Sequence, residues 1–544
     1  MARQRQGVGA AARLKKMANV GGSRKAAGAE QMGGAIAFTM VALLLTKLVG
    51  FVRDILINSR LGYGPVTDGF YVGLNIPDLC YELLVGGALA AAVTPSLAAA
   101  IERNREERIW PALNTFFSLL LLLTALLVGL GEGLTEGLVA WMNPDKTAEV
   151  LGIAVQVSRV MLIQTIFFLG ISVIGAVLNA NKIFGLMNYG NLIYSLIGVL
   201  FLFIWGENSL RGAHMAALGL LVGALVFFFF LFHFARPYMG QMRFCLDLKN
   251  PLFHYLLWLV LPALLSRTFA QVNVLVQNYF TNQFTGAVTS LRQARTIFTV
   301  PYGVVSIGIG TVILPNLSGF FARRAEAEAR VFLSRTMRLA LFLVFPIMAI
   351  LIAFSFESIQ TVFQWSGAYT DEQVGQTALS LVIYSVAIPI CSLSYFFQQA
   401  FFAMRKSWIA LVTSLCSLVI NAIFCYIFVR LFGWGLWSIP FATLLYYCSE
   451  LLLCLYLTRR LRPALMPRRM LGFLGRGLLI AFNAAGISYY VCRLLPSAGG
   501  KLGQLLEYGI KAGLVFLLYF LFAALLKMPE IQKAKAFIGR FTGR

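Results

Sequence analysis

The sequence predicts an all-α polytopic membrane protein, and three observations predict it. Fourteen long, mainly apolar stretches follow one another from Gly33 to about Lys527. Hydrophobic residues make up 59% of the 544 and charged residues 12%, with a mean hydropathy of +0.78. The Lys and Arg residues between the stretches fall on alternate connections. A helix that crosses the hydrocarbon core needs ~20 apolar residues, and a soluble chain of this balance would expose far too much apolar surface.

The first seven spans are expected near 33–60, 68–101, 110–131, 149–179, 184–205, 213–235 and 252–281. The second seven are expected near 286–317, 329–355, 373–403, 408–430, 435–458, 471–493 and 504–527. Sidedness follows from the cations. The N-terminal tail, residues 1–32, carries Arg3, Arg5, Arg13, Lys15, Lys16, Arg24 and Lys25 and reads as a disordered basic segment. Even-numbered connections hold Arg103, Arg105 and Arg108, then Lys182, then Arg236, Arg243 and Lys249, then Arg323, Arg324 and Arg330. The series continues with Arg405 and Lys406, the run Arg459 to Arg469, and the tail's Lys533, Lys535, Arg540 and Arg544. Odd-numbered connections are poor in cations, and two are acidic: Glu132, Glu136 and Asp145 in one, Glu357, Asp371 and Glu372 in the other. The positive-inside rule then places both termini in the cytoplasm, and an even span count fits.

The net charge of +23 is therefore mostly topogenic charge facing anionic headgroups. Nucleic-acid binding would want a basic, aromatic-bearing soluble surface, and no soluble domain is predicted. The apolar run after the tail is too long for a signal peptide. Eight cysteines lie scattered without a CxxC pair, and His214, His233 and His254 stand singly, so no metal site is expected. With no P-loop and no Ser/His/Asp constellation, the expectation is a transporter rather than an enzyme, with no cofactor; Na⁺ or H⁺ coupling stays open.

A faint internal repeat divides the chain. Ala-Val-Thr-Pro95-Ser-Leu ends span 2 and Val-Ile-Leu-Pro315-Asn-Leu ends span 8, 220 residues later. Asn181-Lys182 after span 4 matches Arg405-Lys406 after span 10, at an offset of 224. An offset of six spans preserves orientation, which predicts two parallel six-helix lobes, 33–235 and 236–458, around a central cavity. Residues 459–527 add two further helices, and 528–544 form a cytoplasmic tail.

Charges inside spans need a reason, because each costs ~2.5–3.5 kcal/mol at the bilayer centre. Span 1 has Lys47, Arg53 and Asp54; span 2 has Asp68, Asp78 and Glu82; span 4 has Arg159. Span 7 has Arg267, and span 8 has Arg292 and Arg295. Most fall in the first two helices of each repeat, as a cationic cavity between lobes would require. Two readings apply to them. Arg53 either pairs with Asp54 or Asp68 to tie spans together, or lines the cavity with Asp68 as its partner. Lys47 and Asp54, seven apart, share a helical stripe, and Arg292 and Arg295, three apart, share a face. Asp54, Asp78, Glu82, Arg159 and Arg267 are candidates for structural or cavity charge. Asn273 and Asn421 are candidate cation ligands, although buried amides more often join helices. Arginines clamp phosphates through bidentate hydrogen bonds, so a phosphorylated substrate follows more naturally than a cationic drug.

Specific residues then resemble a known family. Thr46-Lys47-Leu-Val-Gly50-Phe51-Val-Arg53-Asp54, Thr67-Asp68-Gly-Phe70 and Asn75-Ile76-Pro77-Asp78-Leu79 resemble the opening of the MurJ (MviN) lipid II flippase family, in the multidrug/oligosaccharidyl-lipid/polysaccharide exporter superfamily. Further matches are Leu178-Asn179-Ala180 with Phe184, Leu261-Pro262-Ala263 with Gln271, Pro301-x-Gly303-Val304, and Leu314-Pro315-x-Leu317. The resemblance implies movement of a lipid-linked peptidoglycan precursor to the outer leaflet of the bacterial inner membrane. Its pyrophosphate headgroup would sit in the cationic cavity and its polyprenyl tail along the last two spans. It also implies transport roles for Arg53 and Asp68, with Lys47 standing where the family has arginine; Arg292 and Arg295 join these three as substrate-binding candidates through their shared cavity-lining face. The partners expected are a pyrophosphate-linked oligosaccharide lipid and membrane lipids, for a chain working as a monomer.

The departures are specific. Tyr81 and Glu82 stand where the family has paired arginines, and Gly86-Gly87 replaces Glu-Gly. Thr296 holds the place of the family's span-8 arginine, with Arg295 one residue earlier and so turned by ~100°. Either the headgroup is held differently, or the substrate is another undecaprenyl-linked oligosaccharide. A cation-coupled drug exporter and a non-transporting scaffold are the remaining rivals.

Overall fold

The computed structural model describes residues 45–531, apart from 47, 85–87, 104–105, 182, 184, 285, 366–368, 405, 468–469 and 494–499. The basic N-terminal tail and most of the C-terminal tail lie outside the described residues, as do Lys47 and the side chain of Arg267. All regular structure among the described residues is helical.

Span 1 is seen as α1 (48–61). Span 2, expected as one helix, is broken into α2 (Pro65–Gly73), α3 (Asn75–Leu84) and α4 (Ala88–Glu102). The first half continues with α5 (Glu106–Met142), α6 (Ala148–Ala180), α7 (Leu186–Trp205) and α8 (Leu210–Ala235). In the second half come α9 (Pro251–Phe280), α10 (Ala287–Pro301), α11 (Gly308–Ala322), α12 (Glu326–Ala353), α13 (Ser355–Phe363), α14 (Asp371–Ala403), α15 (Ser407–Cys425) and α16 (Ser438–Leu461). The last two are α17 (Met470–Cys492) and α18 (Gly500–Leu525). Eleven described helical segments are long and apolar enough to cross a membrane, and they coincide with spans 3–6 and 8–14.

Local chemistry explains the boundaries. Ser209 caps α8 by accepting from the Gly212 N–H at 3.0 Å, and Asn250 caps α9 by accepting from Leu252 at 2.9 Å with Pro251 at the first helical position. Thr370 and Gln373 form a reciprocal capping box on α14. The break between α2 and α3 traces to Pro77. Proline has no N–H to return to the carbonyl four residues back, and the freed Gly73 carbonyl accepts instead from the Ser158 hydroxyl of α6 at 2.7 Å. Gly69 and Gly73 let α2 lie on α6, since a Cβ on either would come within 2.9 Å of α6 backbone oxygens. In span 8, Pro301 is followed by a π-helical turn over Tyr302–Ile307.

Two further differences from expectation stand out. Glu132 and Glu136, expected in a connection, lie in the last turns of α5, which runs 37 residues. The intramembrane charges named above include none in spans 13 and 14. Lys511 of α18 is instead mostly buried, 3.2 Å from Glu357 of α13 and 2.8 Å from Glu507 one turn back.

Helix α9 belongs to the second half by sequence but packs Phe253, Leu256 and Val260 into the apolar cluster of α4 and α5. Its far side holds α15 through an amide pair, the Asn421 Nδ2 donating to Asn273 Oδ1 at 2.6 Å. Helices α17 and α18 dock on α12 through Phe342, Phe345, Ile480, Ala484 and Tyr519. Reporter fusions after Arg105 and Arg405 are expected to read cytoplasmic, and fusions near Asp145 and Asp371 external. A reversed signal at any of these points would overturn the sidedness drawn from charge.

Candidate functional site

One end of the bundle, that of the α5–α6 connection, is closed by polar contacts between the two halves of the sequence. Asp68 is central to it. The carboxylate is buried on α2 and accepts from the Thr289 backbone N–H at 2.9 Å and the Thr289 hydroxyl at 2.6 Å. Lys146, from the α5–α6 connection, lies 3.3 Å from the other oxygen and donates to the Phe284 carbonyl at 3.3 Å. Thr289 is the third residue of α10, whose own N-cap, Gly286, has no side chain to offer. The first N–H groups of a helix lack internal partners and carry its positive dipole end. A carboxylate from the opposite half thus acts as the cap of α10. Gly286 has φ +69°, and a Cβ there would fall 2.5 Å from the Tyr63 ring.

Around this pair the closure is extensive. Tyr63 stacks on Tyr369 with ring centroids 4.6 Å apart, and its hydroxyl lies 2.5 Å from that of Ser290. Burial pushes the Tyr63 phenol up to about 12 and raises that of Tyr369 as well, so both remain neutral. Asn282 donates to the Met142 carbonyl at 3.2 Å, and Arg430 pairs with Asp145 at 3.3 Å. Deeper in, Asn278 donates to Asn75 at 2.9 Å.

Behind the closure lies the charge cluster. Arg53 is bonded to its neighbour Asp54, with Nη2 to Oδ1 at 3.0 Å, and its guanidinium faces the Tyr194 ring at 5.8 Å. Arg292 reaches across from α10 to stack on Tyr71 of α2, 4.5 Å from the ring centroid. Asp78 of α3 is within electrostatic reach of both Arg292 and Arg53. Arg295 donates to Gln277 of α9. Asn58 joins the cluster to the closure. It donates to the Asp54 carbonyl and the Tyr71 hydroxyl, and it accepts from Gln293 at 3.0 Å. The Oε1 of Gln293 in turn accepts from Tyr369 at 2.8 Å.

The sequence-predicted residues therefore sort into places. Arg53, Asp54, Asp78 and Arg292 come together, while Arg295 turns to Gln277 of α9 and Tyr447 of α16. Asp68 does not join them: the expected Arg53–Asp68 pairing is replaced by Arg53–Asp54 and Asp68–Lys146, because α2 points Asp68 at the tip of α10. Among the described residues the cluster holds two arginines and two carboxylates, a more balanced charge than the cationic cavity expected. Arg159 is exposed on α6, where its charge acts on Glu132 of α5, so it lies away from the cluster. Glu82 is half-buried one turn beyond Asp78 on α3. The candidate cation ligands Asn273 and Asn421 are bonded to each other, which is the helix-joining role. Sequence reasoning missed Lys146, which lies outside every span and so gave no signal. It also missed Asn58, Gln293 and Thr289, whose types are ordinary in helices.

The family profile described as lipid II flippase MurJ matches residues 57–508. The chain belongs to that family. A probable lipid II flippase MurJ of Rhizobium meliloti is 25% identical over 389 residues, covering 70% of this chain and 72% of the relative. One of Bdellovibrio bacteriovorus is 24% identical over 507 residues, covering 92% and 96%. Among solved structures, a lipid II flippase MurJ in an inward closed conformation superposes with a TM-score of 0.72 at 19% identity, covering 90% of this chain and 99% of that one. An inward-facing multidrug resistance MATE family transporter of the MOP superfamily gives 0.64 at 14% identity, covering 78% and 98%. The MurJ fold is thus shared with MATE transporters, and the family is one of membrane transporters rather than enzymes. As a MurJ family member, the chain is a multi-pass protein of the bacterial inner membrane.

Proposed function

We propose that this chain carries lipid II from the cytoplasmic to the outer leaflet by alternating access. The observation that carries the reading is the double duty of α10. Its first turns, through Thr289, Ser290 and Gln293, close one end against α1 and α2, while Arg292 and Arg295 on the same helix present guanidinium groups behind that closure. A headgroup pyrophosphate held by these arginines bears directly on the helix that must move for the closed end to open. The charge pattern makes that end external, with both termini in the cytoplasm. Outward passage of an anion is then favoured by an inside-negative potential, by ~2.3 kcal/mol per charge per 100 mV. The single chain supplies both halves, so it works as a monomer.

Depletion of the protein in its native cell tests the substrate. Lipid II is expected to accumulate in the cytoplasmic leaflet. Accumulation of a different undecaprenyl-linked oligosaccharide would favour the second reading, which Tyr81 supports: this residue packs edge-on against Phe168 in an apolar cluster, where the family has an arginine.

The polyprenyl tail is assigned to the lipid-facing surface of α17 and α18, where Leu479, Leu502, Leu506 and Leu517 are exposed. Deleting residues 471–544 is expected to leave a folded core that no longer flips a full-length substrate. Normal flipping by that truncation would remove the tail assignment.

A further inference from the structure

A carboxylate lies buried in the second half, apart from the arginine cluster. Glu450 is 5% exposed, on α16, a helix long and apolar enough to cross the membrane. Among the described residues it forms no ion pair. Its Oε1 accepts from Gln398 Nε2 of α14 at 2.8 Å, and the Ser414 hydroxyl of α15 bonds it as well. The ionisable groups within its electrostatic reach are Tyr302, Cys391 of α14, and Tyr446, Tyr447 and Cys454 of α16. All are neutral in their ordinary state. Arg295 acts on the neighbouring Tyr447 rather than on Glu450, and it is bonded to Gln277.

An isolated carboxylate charge is costly in such a place, and a group there neutralises instead. Two ligands could neutralise it, a metal cation or a proton. A metal ion would need several converging oxygens. Gln398 turns its amide nitrogen, a donor, toward Glu450, and no metal-binding cluster of His, Cys, Asp or Glu exists among the described residues. The neighbours bring no compensating charge, and the Ser414 hydroxyl, which can accept as well as donate, leaves room for a carboxylic acid.

We propose that Glu450 is a proton-binding site of the transport cycle, protonated in this closed arrangement and ionised when rearrangement of α14–α16 admits water. The proton comes from and returns to bulk water, and no other co-reactant takes part. The closed arrangement buries Glu450 without a countercharge, so it is favoured by the bound proton, and a rise in pH disfavours it.

The inference rests on the transport reading above, and two measurements keep their failures distinct. Infrared spectra of the purified protein in lipid vesicles are expected to show a protonated-carboxyl stretch that is lost in Glu450→Gln. In vesicles loaded with lipid II at fixed membrane potential, wild-type transport is expected to fall as pH rises, by up to about tenfold per unit for one proton. The Glu450→Gln protein, a permanent mimic of the acid form, is expected to respond little. Absence of the infrared band, or equal pH profiles for the two proteins, would overturn the proton site and leave the flippase reading intact. A wild-type protein that moves no lipid II at any pH would count against the flippase reading, while the infrared band would still decide the site.

Discussion

Replacing Asp68 with alanine is expected to open the closed end of the bundle and abolish transport. The substitution removes the carboxylate that caps α10 and leaves the Lys146 ammonium, itself nearly buried, without its partner. Stranding one member of a buried pair costs about 3–5 kcal/mol, and a lost helix cap adds roughly 1 kcal/mol. Both penalties fall on the closed arrangement, in which Asp68 reaches α10 and Lys146. A shift of that size changes the ratio of closed to open forms by on the order of a thousandfold or more. Spin labels at the exposed positions Glu149 and Gln283 would report it as a longer distance across the closed end. Lys146→Met should be milder, since Asp68 keeps both bonds from Thr289. The double variant Asp68→Ala/Lys146→Met should be less open than Asp68→Ala alone, the non-additivity of two groups in contact. An unchanged distance distribution in Asp68→Ala would remove the carboxylate from the closure.

The second large effect is expected at Arg292. Its guanidinium stacks on Tyr71 and has no carboxylate within ion-pair distance among the described residues, so it is available to an anion. A charge-assisted hydrogen bond contributes roughly 1.5–3 kcal/mol, and Arg292→Ala should therefore slow lipid II transport by about 10- to 150-fold. Abundance should stay near normal, since no ion-pair partner is stranded. Arg292→Lys should recover only part, because an ammonium keeps the charge and loses the planar, bidentate fork. The spin-label distance at the closed end separates this role from a structural one and should match wild type in Arg292→Ala. Wild-type transport rates in that variant would rule out Arg292 as a headgroup ligand. Arg53→Ala should have a smaller effect, because that guanidinium is already bonded to Asp54.

The sequence by itself determined the membrane class and where the described spans 3–14 begin and end to within several residues, except at the end of span 3, where α5 runs on to Met142. Apolar length and period are local properties, and capping residues such as Ser209, Asn250 and Thr370 mark ends locally too. It also pointed to the right helices for the charge cluster, because a charge inside an apolar run is conspicuous wherever it later packs. Pro77 foretold a break only in principle: whether proline bends, breaks or merely starts a helix depends on who satisfies the freed carbonyl, and here Ser158 of another helix does so. The pairing of charges was decided by tertiary structure alone. Arg53 could reach Asp54 or Asp68 equally on sequence grounds. The close seating of α2 on α6 through Gly69 and Gly73 aims Asp68 at the tip of α10, 221 residues away. Lys146 was invisible for the opposite reason: a lysine in a loop costs nothing until folding buries it. The same holds for Glu450, one acid in an apolar helix, whose isolation from any cation is a property of the neighbours that folding gives it. Local patterns fix which segments enter the membrane; which buried charges find partners depends on distances between segments, and those exist only once the helices have packed.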